Sequence, residues 1–501
     1  MILRPQTGDF LVIGRHTGRV IVGVGFLMLP PLLVALLGGE WNPAIDFLIG
    51  VGACLAVGFA LESACRVARA PSWTHGMVIA AVSWLAAMAL GAVPGWLSGH
   101  YGSYLDACFD AMSGLTTTGL FLLQDLDHAS AGLNTWRHLL NWAGGQGIIV
   151  VALAFLSSSR GAGAYTLYVG EAKEERLLPS VVATARAIWF VSFAWMALGT
   201  FALIAAGLAI GLAPHRALLH GLWVFMGGWS TGGFAPMSAN LLYYHSALYE
   251  MIAIGICIVG SFNFALHWAV WTGNRAELRR NVELVSFAVT MALALLLVAA
   301  GLARLGVYPD ATALFRKVFF QVASGHTTTG FGTVYARAFV TQWGPLAMLG
   351  LTLAMAIGAS SCSTAGGIKG LRVGVLAAAL LQEARRLISP ERAVVAQRFH
   401  HLGPRHLTDA VVRSAALVAL WYVATYAIGT VAGVWYGADI ASALFEAVSA
   451  GSNTGLSCGL TGPALPAGLK IVYILEMWVG RLEFMGVIAL FGFAAALARG
   501  K

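Results

Sequence analysis

The chain has 501 residues, of which 58% are hydrophobic and only 10% charged. Soluble domains carry about 25% charged residues, so this composition excludes a large water-exposed domain and marks a polytopic membrane protein. The formal net charge of +8 would suggest nucleic-acid binding in a soluble chain; here its simpler home is in cytoplasmic loops, and no nucleic-acid partner is expected.

In chain order, apolar runs at residues 20–37, 44–64, 76–96, 147–156, 187–212, 247–271 and 284–305, with further windows beyond, approach or exceed the length of a spanning helix. They predict about ten crossings of roughly 20 residues each. Arg4, Arg15 and Arg19 precede the first run, but no small-residue cleavage site follows it, so a retained helix is expected rather than a signal peptide. The cysteines (Cys54, Cys65, Cys108, Cys257, Cys362, Cys458) show no C-x-x-C spacing and argue for neither disulfides nor a metal site. With the N-terminus placed inside, most of the 30 Lys and Arg fall in cytoplasmic segments, while Arg137, Arg216, Arg304, Arg316, Lys317, Arg337 and Lys470 fall outside. This bias orients the chain with both termini cytoplasmic.

Four polar knots recur within the apolar background: "SGLTTTGL" (113–120), "GGWSTGGF" (227–234), "SGHTTTGF" (324–331) and "SAGSNTGL" (449–456). They align without a gap. Each places a glycine before a bulky apolar residue (Gly119, Gly233, Gly330, Gly455), and ten positions upstream stands an aromatic: Phe109, Trp223, Phe320, Phe445. Around each knot the order repeats as long apolar run, short amphipathic stretch of about ten residues, knot, turn-rich segment and long apolar run. A stretch of about 10–14 residues is too short to span and suits a re-entrant half-helix. An all-α polytopic fold is therefore predicted, with four helix, pore loop, helix repeats at residues 71–160, 161–275, 276–400 and 401–501 in pseudo-fourfold arrangement, preceded by a helix pair at 1–70.

Non-helical backbone at membrane depth is tolerated only where protein buries it or where it lines a water-filled cavity. Thr, Ser and Asn resist helix, while glycine accepts positive φ and the close approach of a ligand. Four such segments around one axis, Thr116, Thr117, Thr118, Gly119; Ser230, Thr231, Gly232, Gly233; Thr327, Thr328, Thr329, Gly330; and Ser452, Asn453, Thr454, Gly455, would form a carbonyl ring able to replace a small cation's hydration shell. Half-helices ending at mid-membrane would point their negative dipole ends at the same axis. A single T-T-T-G is more often a turn or a helix cap; the fourfold repetition favours the ring.

These knots resemble those of the Trk/Ktr/HKT superfamily of potassium transporters, and the extra N-terminal helix pair resembles the bacterial TrkH-type branch. The resemblance covers about residue 71 to the C-terminus. It implies a selectivity filter with one glycine per repeat, with potassium held at Thr117, Thr118, Thr231, Gly232, Thr328, Thr329, Asn453 and Thr454, and potassium over sodium because all four glycines are present. It further implies potassium uptake across the bacterial inner membrane, no organic cofactor, a homodimer in the lipid bilayer, and a TrkA-type cytosolic nucleotide-binding regulatory partner. The segments 382–413 and 161–176 are the candidate docking faces.

"GASSCSTAGGIKGLR" (358–372) interrupts a long apolar run with Gly and Ser, which predicts a broken helix. It resembles the family's intramembrane loop, which implies a gate formed by Gly358, Ser363, Thr364, Ala365, Gly366, Gly367 and Lys369. The alternative is a packing kink. The segment does not satisfy the phosphate-loop pattern, and no strand precedes it. Arg481 lies deep in the last apolar run, where a charge costs about 2.5–3.5 kcal/mol on insertion scales. It resembles the family's pore arginine and is expected to anchor the gate loop; pairing with Glu476 or Glu483 is a compatible alternative.

Asp110, Gln321 and Glu446 stand nine residues before their knot glycines, with Val224 in repeat two. The acids would either concentrate cations in a vestibule or hydrogen-bond the backbone behind the knots. His326 is expected to pack rather than to relay protons, and the small residues of "NWAGGQGIIV" (141–150) to admit close helix contact. A coupled secondary transporter with inverted repeats is a rival reading. An intramembrane enzyme would need a nucleophile and base or a metal cluster, and neither pattern is present.

Overall fold

The computed structural model describes residues 6–66, 69, 71–147, 181–390 and 397–499. Within them the chain is almost wholly helical. Six helices are long and apolar enough to cross a membrane, and two further helix pairs, Ala247–Gly260 with Phe264–Trp271 and Ala467–Arg481 with Met485–Ala498, qualify as spans bent by 96° and 109°. Another of the expected crossings is a helix broken by the 358–369 loop; the helix Ala131–Gln146 is described up to Gly147, and the rest of the apolar run expected at 147–156 lies outside the described residues.

The N-terminal pair, Thr7–Leu37 and Trp41–Ala64, packs through small residues. A side chain on Gly18 would meet the Gly58 carbonyl oxygen at 2.8 Å, and this contact lets the helix backbones approach, as at membrane helix interfaces. The first helix breaks at Met28, before Pro30 and Pro31, because proline removes an N–H and clashes with the preceding turn.

Four half-helices follow: Tyr104–Leu115, Pro214–Trp229, Ala311–His326 and Ile440–Gly451, of 12, 16, 16 and 12 residues. Two are longer than the stretch of about ten read from sequence, yet all are shorter than the ~30 Å hydrocarbon core at 1.5 Å per residue. Three start on side-chain caps, Ser103, Asp310 and Asp439, and the second starts with Pro214 in its first turn. All four end four residues before the knot glycine, which puts the knots at a common depth.

Among the described residues, the helix after the knot also breaks in repeats two, three and four. In repeat one the described part of the helix ends at Gly147 (φ 95°); repeat two breaks at residues 261–263, repeat three over 358–369, and repeat four at Leu482, Glu483 and Phe484. In repeats one, two and four a glycine just before that point (Gly144, Gly260, Gly480) lies against the last carbonyl of its own half-helix, at Leu115, Trp229 and Gly451. A methyl group there would overlap that oxygen, so these three glycines set the contact between half-helix and second helix.

Several of the basic residues placed outside pair with buried acids. Lys470 meets Asp106 at 2.5 Å, Arg316 holds Glu250 through two bonds of 2.7 and 2.8 Å, and Arg137, 2% exposed, lies 4.0 Å from Asp110. Charges inside a bundle are held by such pairing. The segment 382–413 is likewise more ordered than a loop: the helix Gly370–Leu387 runs into it, and Arg398–His400 pairs antiparallel with Pro404–His406. Residues 391–396 and the other candidate docking face, 161–176, lie outside the described residues.

Candidate ion pathway

The four knots share one backbone conformation. Thr117, Thr231, Thr328 and Asn453 have φ of 57°, 49°, 53° and 56°, and two residues later Gly119, Gly233, Gly330 and Gly455 have φ of 96°, 65°, 85° and 86°. Asparagine tolerates this left-handed region, whereas a β-branched residue pays about 1–2 kcal/mol to enter it. Local bonds offset that cost: the Thr117 and Thr231 hydroxyls donate to the preceding carbonyls, of Thr116 and Ser230, at 2.7 Å.

The knots close into a ring. A side chain on Gly119 would meet the Gly232 oxygen at 2.6 Å; on Gly233 it would overlap the Thr329 oxygen, on Gly330 that of Thr454, and on Gly455 that of Thr118. Each knot glycine thus faces the carbonyl that precedes the glycine of the next repeat, in the order one, two, three, four, one. No residue but glycine fits at these positions, for reasons of both φ and space. The C-terminal ends of the four half-helices, with their partial negative charge, converge on this ring.

Side chains behind the ring hold it. The hydroxyls at the first and third knot positions pair in three repeats: Thr116 with Thr118 and Thr327 with Thr329 at 2.8 Å, and Ser452 with Thr454 at 2.7 Å. Repeat two has Gly232 at the third position. The space is taken by Asn141 of repeat one, whose amide carbon would stand 2.4 Å from a Gly232 side chain while its Nδ2 donates to the Gly114 oxygen at 2.9 Å. Asn141, read from sequence as part of a packing segment, thus braces two knots.

The residues nine positions before the glycines are braces too. Asp110 accepts the Leu122 N–H at 2.6 Å and Glu446 accepts the Cys458 N–H at 2.9 Å, in each case three residues after the knot glycine. Gln321 reaches the Thr333 hydroxyl at the same register, at 3.2 Å. In repeat two that register is Pro236, which has no N–H to satisfy, and the residue nine before Gly233 is the apolar Val224. These carboxylates are buried and serve backbone satisfaction rather than an open vestibule. His326 is also buried, bonded to Thr290 at 2.7 Å and packed on Phe287.

Directly beneath the ring lies the 358–369 loop. Its ends meet through the bonds Ile368 N–H to Ala356 O and Lys369 N–H to Ile357 O, 3.1 and 2.8 Å, and Gly358, Gly367 and Lys369 take positive φ to turn the chain. The loop then docks on the left-handed residues of the knots. The Gly366 N–H donates to the Thr328 hydroxyl at 2.8 Å, the Thr231 hydroxyl meets that of Thr364 at 3.1 Å, and Gly366 packs on Ser452 and Asn453. Thr364 also reaches the Gly260 oxygen at 2.9 Å, and Ser363 and Ala365 are buried between these contacts.

Arg481 ties this assembly together. Its guanidinium donates to the Thr117 hydroxyl at 3.1 Å, the Thr364 oxygen at 2.7 Å and the Gly144 oxygen at 2.6 Å. Of the two carboxylates considered as its partners, Glu483 holds Lys369 at 2.6 Å and Arg372, while Glu476 packs against Gly429. A cavity between ring and break is lined by Gly147, Ser363, Gly366, Lys369, Asn453 and Arg481. Among the described residues no group of three or more His, Cys, Asp or Glu could hold a metal ion. The oxygens at the ring are those of backbone and hydroxyl groups, the ligand type found in carbonyl-lined filters.

Sequence reasoning passed over Glu283 and gave Glu483 and Asn141 other roles. Glu483 carried a signal, a second charge two residues from Arg481 in an apolar run; the other two carried none, since their partners lie far away in the chain.

A family model for TrkH, described as a cation transport protein, matches residues 44–495. An uncharacterized cation transporter of Methanocaldococcus jannaschii is 31% identical over 98% of this chain and 97% of its own. The Trk system potassium uptake protein TrkH of Halomonas elongata is 29% identical over 95% of this chain and 97% of its own. The crystal structure of the potassium transporter TrkH from Vibrio parahaemolyticus superposes with a TM-score of 0.79 at 25% identity, covering 96% of this chain and 98% of that one. These matches span both the N-terminal helix pair and the four knots, and with them the chain belongs to the TrkH family of cation transport proteins, a family of multi-pass membrane transporters rather than enzymes.

Proposed function

We propose that this protein takes up potassium across the bacterial inner membrane through a filter made of the four knots. The observation that carries the reading is the ring in which each knot glycine faces the carbonyl of the next repeat; such oxygens substitute for the water around a dehydrated cation. The names of the relatives, Trk system potassium uptake proteins and a potassium transporter, supply the ion. Potassium would be held by oxygens of Thr117, Thr118, Thr231, Gly232, Thr328, Thr329, Asn453 and Thr454. The half-helices enter from outside and both termini are cytoplasmic, as the loop charges favour.

The 358–369 loop is the gate, and with Arg481 it occupies the path in the conformation described here. Gly358, Ser363, Thr364, Ala365, Gly366, Gly367 and Lys369 shape it. Conduction requires it to leave the knots, which a homodimer with a TrkA-type cytosolic nucleotide-binding subunit would control. The test is growth of a potassium-uptake-deficient bacterium at low potassium, with parallel sodium uptake. The wild-type chain should restore growth and exclude sodium, and Gly330→Ser should admit sodium or abolish rescue. Unaltered rescue with unaltered sodium exclusion in Gly330→Ser would overturn the filter.

A further inference from the structure

We propose that Glu283 is a positioning residue for the 358–369 loop and that it connects this loop to the surface hairpin 398–406 through His401. The inference rests on the gate reading above and adds the element by which the gate is held from outside the pore.

Glu283 is the second residue of the helix Val282–Leu305, capped by Asn281, whose side chain accepts the Glu283 N–H at 3.0 Å. Its carboxylate is 2% exposed and accepts the backbone N–H of Ser361 at 2.7 Å. Its other oxygen lies 4.0 Å from Nδ1 of His401, a side chain 1% exposed, and the same nitrogen lies 3.4 Å from the Asn281 amide oxygen. The adjacent His400 holds Glu277 at 2.8 Å. Two neighbouring histidines of the hairpin are thus seated at the start of the first helix of repeat three, one helical residue from the carboxylate that grips the loop.

The loop is anchored at its tip and at both ends. The knots and Arg481 hold its tip, and Glu483 holds its trailing end through Lys369 and Arg372. Both sit inside the bundle. On the leading end the Ser360 N–H donates to the Ser261 oxygen at 3.2 Å, again inside the bundle, whereas Glu283, through Ser361, leads to a surface element: the hairpin strands are three residues each, and Arg398, Arg405 and His406 are exposed. A two-stranded hairpin this short is marginally stable by itself, so its position depends on the histidine contacts. Displacing it withdraws His401 from Glu283 and Asn281, which loosens the grip on Ser361. A buried carboxylate that keeps a backbone N–H satisfied can act in two positions: bonded, it helps draw the loop under the ring; released, it leaves the leading end to the weaker hold of Ser261 on Ser360.

The test is rubidium or potassium uptake into proteoliposomes holding the purified full chain without a regulatory subunit. Glu283→Ala should raise basal uptake by about tenfold, the shift expected of one lost charge-assisted hydrogen bond. Glu283→Gln, which retains an acceptor for Ser361, should raise it less. His401→Ala should raise it too, and combining His401→Ala with Glu283→Ala should add nothing beyond Glu283→Ala. Monodisperse Glu283→Ala protein with unchanged or reduced uptake overturns the proposal; if that variant does not fold, unchanged uptake in His401→Ala does so. Deleting residues 363–366 separates the two readings. Raised uptake in the deletion keeps the gate whatever Glu283 does, and unraised uptake removes both.

Discussion

Gly455 of the fourth repeat lies with its α-carbon against the carbonyl oxygen of Thr118 in the first, and this contact closes the ring across the widest separation in sequence of any two knots. Gly455→Ala would place a methyl group on that oxygen at a φ of 86°. Transport should fall by at least about tenfold, or discrimination between potassium and sodium should be lost, with the protein still expressed and monodisperse. Paired potassium and sodium fluxes from the same vesicles check it.

Glu483 compensates Lys369 and Arg372 at once. Removing it leaves two cations near Arg481 in a low-dielectric setting, and breaking a buried pair typically costs about 3–5 kcal/mol. Glu483→Leu is expected to lower the thermal midpoint in detergent by several degrees. Glu483→Leu with Lys369→Met should recover part of the loss, because one uncompensated charge is gone.

Pro236 and Val224 form a pair in which the absence of a donor matches the absence of an acceptor. Pro236→Ala creates a buried N–H with no carboxylate opposite, at a cost of about 1–3 kcal/mol. Adding Val224→Glu, which copies the Glu446 that accepts the corresponding N–H in repeat four, should restore part of that stability. A double-mutant cycle of unfolding midpoints gives the coupling; additive effects would show that the two positions do not communicate.

Gly232 is kept small by Asn141 rather than by an ion. Gly232→Thr alone should abolish uptake, since its side chain collides with the Asn141 amide. Combined with Asn141→Gly, the new hydroxyl can pair with Ser230 as Thr118 pairs with Thr116. Partial recovery of uptake in the double variant is the expected result.

Much of the ring was legible in the chain itself because its geometry is repeated. Four knots that need the same φ at the same place use the same residue there, so Gly119, Gly233, Gly330 and Gly455 announce themselves by alignment. The 358–369 loop was legible as a helix break, since Gly and Ser inside an apolar run have few other uses. The braces were legible only in part: Asp110, Gln321 and Glu446 share a register, but the role of that register depends on an N–H whose position is set by folding.

Linear order determined the long apolar segments, the break over 358–369 and which knot positions must be glycine, because hydropathy and backbone sterics act within a few residues of each position; the breaks at Met28, 261–263 and 482–484 were not expected from it. Tertiary structure alone decided the partners. Arg137 and Lys470 look like outer-loop charges until Asp110 and Asp106 are brought beside them, Asn141 looks like packing until the second knot folds around it, and Arg481 looks like one more charge in an apolar run until Thr117, Thr364 and Gly144 are gathered around it. Electrostatic and hydrogen-bond energies depend on distance in space, and residues hundreds of positions apart carry no record in the chain of which of them will meet.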